Sequence, residues 1–130
     1  SSGILQSFMS NKRITPSRNI DTIMAGLNCG IPSKSGWEII KNGCDAVLTI
    51  SDNYTKKAMK MLFSPIKTDK RIISGESGAA GLAGLIKCLN SKNHLDLKEH
   101  IGLDSSSRIL VFSTEGNTDK DSFNSIINEK

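Results

Sequence analysis

The chain has 130 residues, 37% of them hydrophobic and 23% charged, with a formal net charge of +4. That length accommodates a single core, and no apolar run approaches the length that crosses a membrane. The opening Ser1-Ser2-Gly3-Ile4-Leu5-Gln6-Ser7-Phe8-Met9 has neither a basic flank nor a long apolar centre, so no secretory signal is read and a cytoplasmic protein is expected.

The positive balance comes largely from Lys56-Lys57, Lys60, Lys67 and Lys70-Arg71, with only Tyr54 as an aromatic neighbour. Single-strand binders interleave aromatics with their charge, so these lysines read as a solvated helix face and no nucleic-acid partner is expected. Cys29, Cys44 and Cys88 are odd in number and form no CxxC; they read as reduced thiols and small buried hydrophobes. His94 and His100 lack a Cys or His at ligand spacing, so no metal site is expected from them.

Along the chain, Ile4, Leu5, Phe8 and Met9 recur at helical spacing and predict a helix over 2–11, followed by a polar loop through Pro16. Residues 21–30 read as extended or irregular. Ser35 and Glu38 form a capping box for a helix that turns Trp37, Ile40 and Ile39 inward and stops at Asn42-Gly43. Ala46-Val47-Leu48-Thr49-Ile50 predicts a short buried strand. Asp52 is expected to cap a helix with Tyr54, Ala58, Met61 and Leu62 inward, ending before Pro65.

Arg71-Ile72-Ile73-Ser74 predicts a second strand, and a helix rich in Gly and Ala follows over 77–89. Asp96 and Glu99 open a short helix that Gly102 closes. Arg108-Ile109-Leu110-Val111-Phe112 predicts the third strand, and Thr118 and Asp121 cap a last helix bearing Phe123, Ile126 and Ile127. Strands alternating with helices imply an α/β fold, a small parallel sheet flanked by helices in a single domain over 1–130.

Two stretches carry the chemistry. Ile73-Ser74-Gly75-Glu76-Ser77-Gly78-Ala79-Ala80-Gly81 and Phe112-Ser113-Thr114-Glu115-Gly116-Asn117-Thr118-Asp119 place hydroxyls, carboxylates and glycines where apolar runs end. In α/β sheets small ligands sit at such ends. Glycine within a helix costs about 1 kcal/mol against alanine, which is tolerated where backbone must approach something closely. For Gly81, Ala83 and Gly84 that something reads as the sheet; for 75–78 a ligand and a plain turn stay open. Ser113 after a buried strand can face a planar nitrogen heterocycle. A nucleophilic role for it has no GxSxG elbow or suitable His behind it.

These two stretches, with Asp21-Thr22-Ile23-Met24-Ala25-Gly26-Leu27-Asn28-Cys29-Gly30 and Gly36-Trp37-Glu38-Ile39, resemble in order the C-terminal part of the fold-type II pyridoxal-phosphate enzymes. That family includes tryptophan synthase β and the serine and threonine dehydratases, and the segments resemble in particular its diaminopropionate ammonia-lyase branch. The resemblance implies a portion of the tryptophan synthase β-like fold. It also implies α,β-elimination of 2,3-diaminopropionate to pyruvate and ammonia, with pyridoxal 5'-phosphate as cofactor.

Residue by residue, the resemblance makes Ser113 the hydroxyl that faces the pyridine nitrogen, with Thr114 as a second contact. It puts Gly75, Glu76 and Ser77 on the cofactor side, and Thr22, Met24, Ala25 and Gly26 in the loop on the substrate side. Many dehydratases carry an aspartate where Ala25 stands and use it to hold a cation, so no such metal is expected. The Schiff-base lysine and the phosphate loop lie upstream in this family, and no lysine here has a matching context. The expected partners are therefore a small amino-acid substrate, the remainder of a parent enzyme and, as commonly in this family, a second copy in a homodimer. Alone the chain is expected to be inactive. A non-catalytic paralogue or scaffold domain, or part of a serine or threonine dehydratase, are the competing readings.

Overall fold

The computed structural model describes residues 2–16, 21–90 and 95–129. Among these, six helices form: α1 (Ser2–Ser10), α2 (Lys34–Gly43), α3 (Asp52–Phe63), α4 (Ala80–Asn90), α5 (Leu95–His100) and α6 (Lys120–Asn128), with one 3-10 turn at Ala25–Leu27. No helix among the described residues is long and apolar enough to cross a membrane. His94 lies outside the described residues.

The core forms where α3 packs against both α4 and α6. Ala58 and Met59 from α3, Ala79 just before α4, Ala83 and Ile86 from α4, and Phe123 and Ile126 from α6 make one buried cluster. Small residues on α4 let it approach α3 closely, while the larger Met59 and Phe123 fill the space between. Phe63 closes one end, its ring edge-on to Phe123 at 5.7 Å and covered by the Arg71 guanidinium at 4.4 Å.

The buried face of α3 differs from the expected one. Thr55, Ala58 and Met59 are enclosed, whereas Met61 is 43% exposed. Packing on two neighbouring helices rotates the apolar stripe by part of a turn. Ile39 likewise points outward, and Trp37 alone of α2 is buried.

Helix starts also shift, α4 beginning at Ala80 and not at 77. Ser33, not Ser35, caps α2 by accepting from the Gly36 amide at 3.0 Å; its extended backbone and the preceding Pro32 suit that position. Asp52 is the first residue of α3 and its carboxylate points away from the helix, as described below. Asp119 caps α6 by accepting from the Ser122 amide at 2.9 Å. Gly102 ends α5 at φ +63°, a left-handed conformation that glycine adopts without strain. Cys88 is buried as expected, but Cys44 is half-buried and Cys29 exposed.

The segments expected as strands, 46–50, 71–74 and 108–112, run without helix, turn or bend. No backbone ladder joins them among the described residues, so the expected parallel sheet is not formed there. A β-strand is completed only by hydrogen bonds to the backbone of a neighbouring strand. Two of these segments are held to the helices instead. Lys87 donates to the Thr49 carbonyl at 2.7 Å, and the Ile72 amide donates to the Leu62 carbonyl at 2.9 Å. The apolar side chains of 71–73 and 108–112 stay open to solvent, with Leu110 78% and Phe112 73% exposed, whereas 46–50 is half-buried and its Ile50 packs on the core.

Candidate functional site

The ends of segments 71–74 and 108–112 meet, and each delivers a serine. Ser113 Oγ lies 2.8 Å from Ser74 Oγ. Ser74 is fully enclosed, whereas Ser113 stands at the surface. Glycine makes this approach possible at two positions. A Cβ on Gly75 would lie 2.3 Å from the Gly116 carbonyl oxygen; one on Gly78 would lie 2.6 Å from that of Glu115 and 2.7 Å from Ser74 Oγ. The two loops therefore touch backbone to backbone, which only residues without a side chain permit. Gly81 continues the contact with an ordinary approach to Val111, while Gly84 faces open space.

Glu115 crosses this contact. Its Oε1 accepts from the Ser77 amide at 2.6 Å, and its main-chain oxygen accepts from the Gly75 amide at 3.2 Å. The Ser77 hydroxyl in turn accepts from the Gly26 amide at 2.9 Å, bringing in a third loop. Amides at the start of a helix attract anions. Here the amide leading into α4 already has an internal carboxylate. Glu76 reaches the other way, accepting from the Ser122 hydroxyl on α6 at 2.6 Å.

The third loop is fixed by α3. The Asp52 carboxylate accepts from the Thr22 hydroxyl at 2.5 Å and from the Ile23 amide at 3.3 Å. Met24 is buried, and the Thr55 hydroxyl donates to its sulfur at 3.1 Å. Ala25 and Gly26 are left exposed beside Ser77.

The expected site residues thus come together at one three-loop junction and divide into two sets. Ser113, Thr114, Ala25 and Gly26 are exposed there. Gly75, Glu76, Ser77, Thr22 and Met24 turn inward and hold the loops to one another. Sequence reasoning had no separate role for Ser74 or Ser122, expected Asp52 to cap α3 instead of holding Thr22 and Ile23, and named Glu115 only as part of a passing loop. One signal was available for Ser74: like Ser113, it directly follows an apolar run.

A hydroxyl held from behind by a second hydroxyl offers a neutral donor and acceptor, which suits the nitrogen of a planar heterocycle. None of residues 22–26, 74–79 or 113–117 is a lysine, so these loops supply no amine to bind such a group covalently. Among the described residues no three His, Cys, Asp or Glu side chains cluster to hold a metal. An apolar groove of about 490 Å³ lies away from the junction, between α4, α5 and segments 46–48 and 107–110.

The sequence model of one protein family, described as "Pyridoxal-phosphate dependent enzyme", matches residues 1–114. The chain is 40% identical over 106 residues to a diaminopropionate ammonia-lyase of Escherichia coli (strain K12), covering 82% of this chain and 27% of that protein. It is 38% identical over 107 residues to the enzyme of the same name from Salmonella typhimurium (strain LT2), covering 82% of this chain and 26% of the relative. The crystal structure of the Escherichia coli diaminopropionate ammonia lyase in complex with an aminoacrylate-PLP azomethine reaction intermediate superposes with a TM-score of 0.84. That match has 35% identity and covers 98% of this chain and 32% of the other. The chain spans about a quarter of the length of the curated relatives it matches.

Proposed function

The chain belongs to the pyridoxal-phosphate dependent enzyme family, and on that premise we propose that it is the C-terminal part of a lyase converting 2,3-diaminopropionate to pyruvate and ammonia. The observation that carries this reading is the junction itself. It offers an exposed hydroxyl, anchored on a buried one, where three loops meet, in a chain 40% identical to a diaminopropionate ammonia-lyase.

Pyridoxal phosphate, when bound, supplies an electron-accepting ring for chemistry at the amino acid's Cα. The residues of the junction fit such a group. Ser113 binds the ring nitrogen through a neutral hydroxyl, and Thr114 provides a second polar contact beside it. A hydroxyl does not hold the ring nitrogen protonated as a carboxylate would, and expelling a β-substituent does not demand the fullest electron sink. Ala25 and Gly26 form the substrate side of the loop, kept in register by Gly26 on Ser77 and by Thr22 on Asp52. Glu115, Glu76 and Ser77 fix the loops without spending a charge on the ligand.

In the complete enzyme, segments 46–50, 71–74 and 108–112 become strands of a parallel sheet. The absence of a ladder between them among the described residues, and the exposed Leu110 and Phe112, support that completion. The covalent lysine and the phosphate loop come from the remaining polypeptide, so the 130-residue chain alone is inactive.

The test is product formation. The complete enzyme, loaded with pyridoxal phosphate, is expected to release pyruvate and ammonia from 2,3-diaminopropionate, and this chain alone is expected to release neither. Turnover of serine or threonine with none of diaminopropionate overturns the substrate. Turnover by the isolated chain overturns its reading as a part.

A further inference from the structure

Ser74 is enclosed almost completely, with 1% of its surface exposed, yet it carries a hydroxyl. That hydroxyl has one close partner, Ser113 Oγ at 2.8 Å; its other neighbour, the Gly75 carbonyl, lies at 3.5 Å, the outer limit of a hydrogen bond. Ser113 has a second weak partner as well, the Glu115 carbonyl at 3.4 Å. Two hydroxyls therefore share one good bond, with one member buried and the other at the surface. Gly78 leaves room for the buried member, since a Cβ there would sit 2.7 Å from Ser74 Oγ.

We propose that Ser74 is a positioning residue that acts through Ser113, the pair forming a two-hydroxyl relay toward the ring nitrogen of the cofactor. This rests on the reading of Ser113 given above. Each serine can donate one proton and accept through two lone pairs. Facing a ring nitrogen that accepts, Ser113 donates outward and Ser74 donates to Ser113. Facing a ring nitrogen that donates, Ser113 turns its proton to Ser74, and Ser74 turns its own toward the Gly75 carbonyl. In both arrangements the Ser113 oxygen stays where the loops put it, and the two serines add no charge of their own to the pocket.

The experiment uses the complete enzyme and reads the absorption band of bound pyridoxal phosphate, its dissociation constant, and kcat and KM separately. Ser113→Ala is expected to move the band and weaken cofactor retention roughly ten-fold, the effect of one lost hydrogen bond. Ser74→Ala is expected to move the band in the same direction by less, lowering kcat more than it raises KM. The double variant should resemble Ser113→Ala, and Ser113→Thr should restore the band. If Ser74→Ala does not fold, Ser74→Cys, a weaker donor of similar size, is read by the same criteria. A wild-type band in the Ser74 variant beside a moved band in Ser113→Ala overturns the relay and leaves Ser113 standing. Additive effects in the double variant overturn it too. An unmoved band in Ser113→Ala overturns the site reading itself, and the relay with it.

Discussion

The Glu115 carboxylate accepts from the Ser77 amide at 2.6 Å across 38 residues of sequence, and so bolts the end of one apolar segment to the loop that follows another. The bond is short and charge-assisted, and such bonds contribute about 1.5–3 kcal/mol. Glu115 is half-exposed, which places it at the lower end. Glu115→Ala is expected to lower stability by about 1–2 kcal/mol in denaturant unfolding, with Glu115→Gln losing less because it keeps an acceptor oxygen. An unfolding midpoint equal to wild type in Glu115→Ala would show that the loops do not depend on this contact.

The glycines around that bolt predict opposite signs for one substitution. Gly75→Ala and Gly78→Ala drive a methyl to 2.3 Å and 2.6 Å from backbone carbonyl oxygens. Backbone cannot swing aside as a flexible side chain can, so each is expected to cost about 1–3 kcal/mol. Gly84 lies inside α4 with nothing within 4 Å of a new Cβ. There the gain in helix propensity prevails, and Gly84→Ala is expected to stabilise by about 0.5–1 kcal/mol. Thermal unfolding of the three variants side by side decides the matter; a destabilised Gly84→Ala would mean that the open space is filled in the working protein.

These contrasts mark what sequence alone could reach. The six helices were legible because 3.6-residue spacing and turn residues act locally, and Asn42-Gly43, Pro65 and Gly102 end helices where expected. Caps were less so: Ser33 and Ser35 both carry the right chemistry, and only the position of the Gly36 amide separates them. Strand character in 108–112 could be read from its β-branched and aromatic residues, but pairing needs a partner backbone that the described residues do not provide. Ser113 was legible as the end of an apolar run. Its anchor was not, because Ser74 lies 39 residues away and the pair exists only once the loops meet.

Met59 and Met61 differ by two positions on α3 and predict very different losses. Met59 is 1% exposed inside the core cluster, whereas Met61 lies outside that cluster and is 43% exposed. Truncating a buried methionine removes its transfer energy and leaves a cavity, so Met59→Ala is expected to cost about 2–5 kcal/mol. Met61→Ala should fall within about 0.5 kcal/mol of wild type. Equal losses at the two sites, measured by chemical denaturation, would contradict the helix rotation that the packing of α3 against α4 and α6 imposes.

The end of α6 gives the chain a modest sensitivity to acid. Lys56 donates to both carboxylate oxygens of Glu129, at 3.1 and 3.2 Å, and Lys60 lies 3.7 Å from one of them. The hydrogen bond from Lys56 and its charge hold the Glu129 carboxyl below its ordinary range, with Lys60 adding to the effect. The folded chain thus binds this proton more weakly than the unfolded chain does. The stabilisation is fully present above the ordinary glutamate range and is lost as pH falls through the lowered value. Glu129→Gln should therefore melt slightly below wild type at neutral pH and converge with it in acid. Because the pair is exposed, molar salt should close most of the neutral-pH gap as well. Lys60 also donates to the Glu129 main-chain oxygen at 2.7 Å, a contact the substitution leaves in place, so the helix end itself should persist. A gap that widens toward acid, or ignores salt, would assign the Glu129 effect to packing instead of charge.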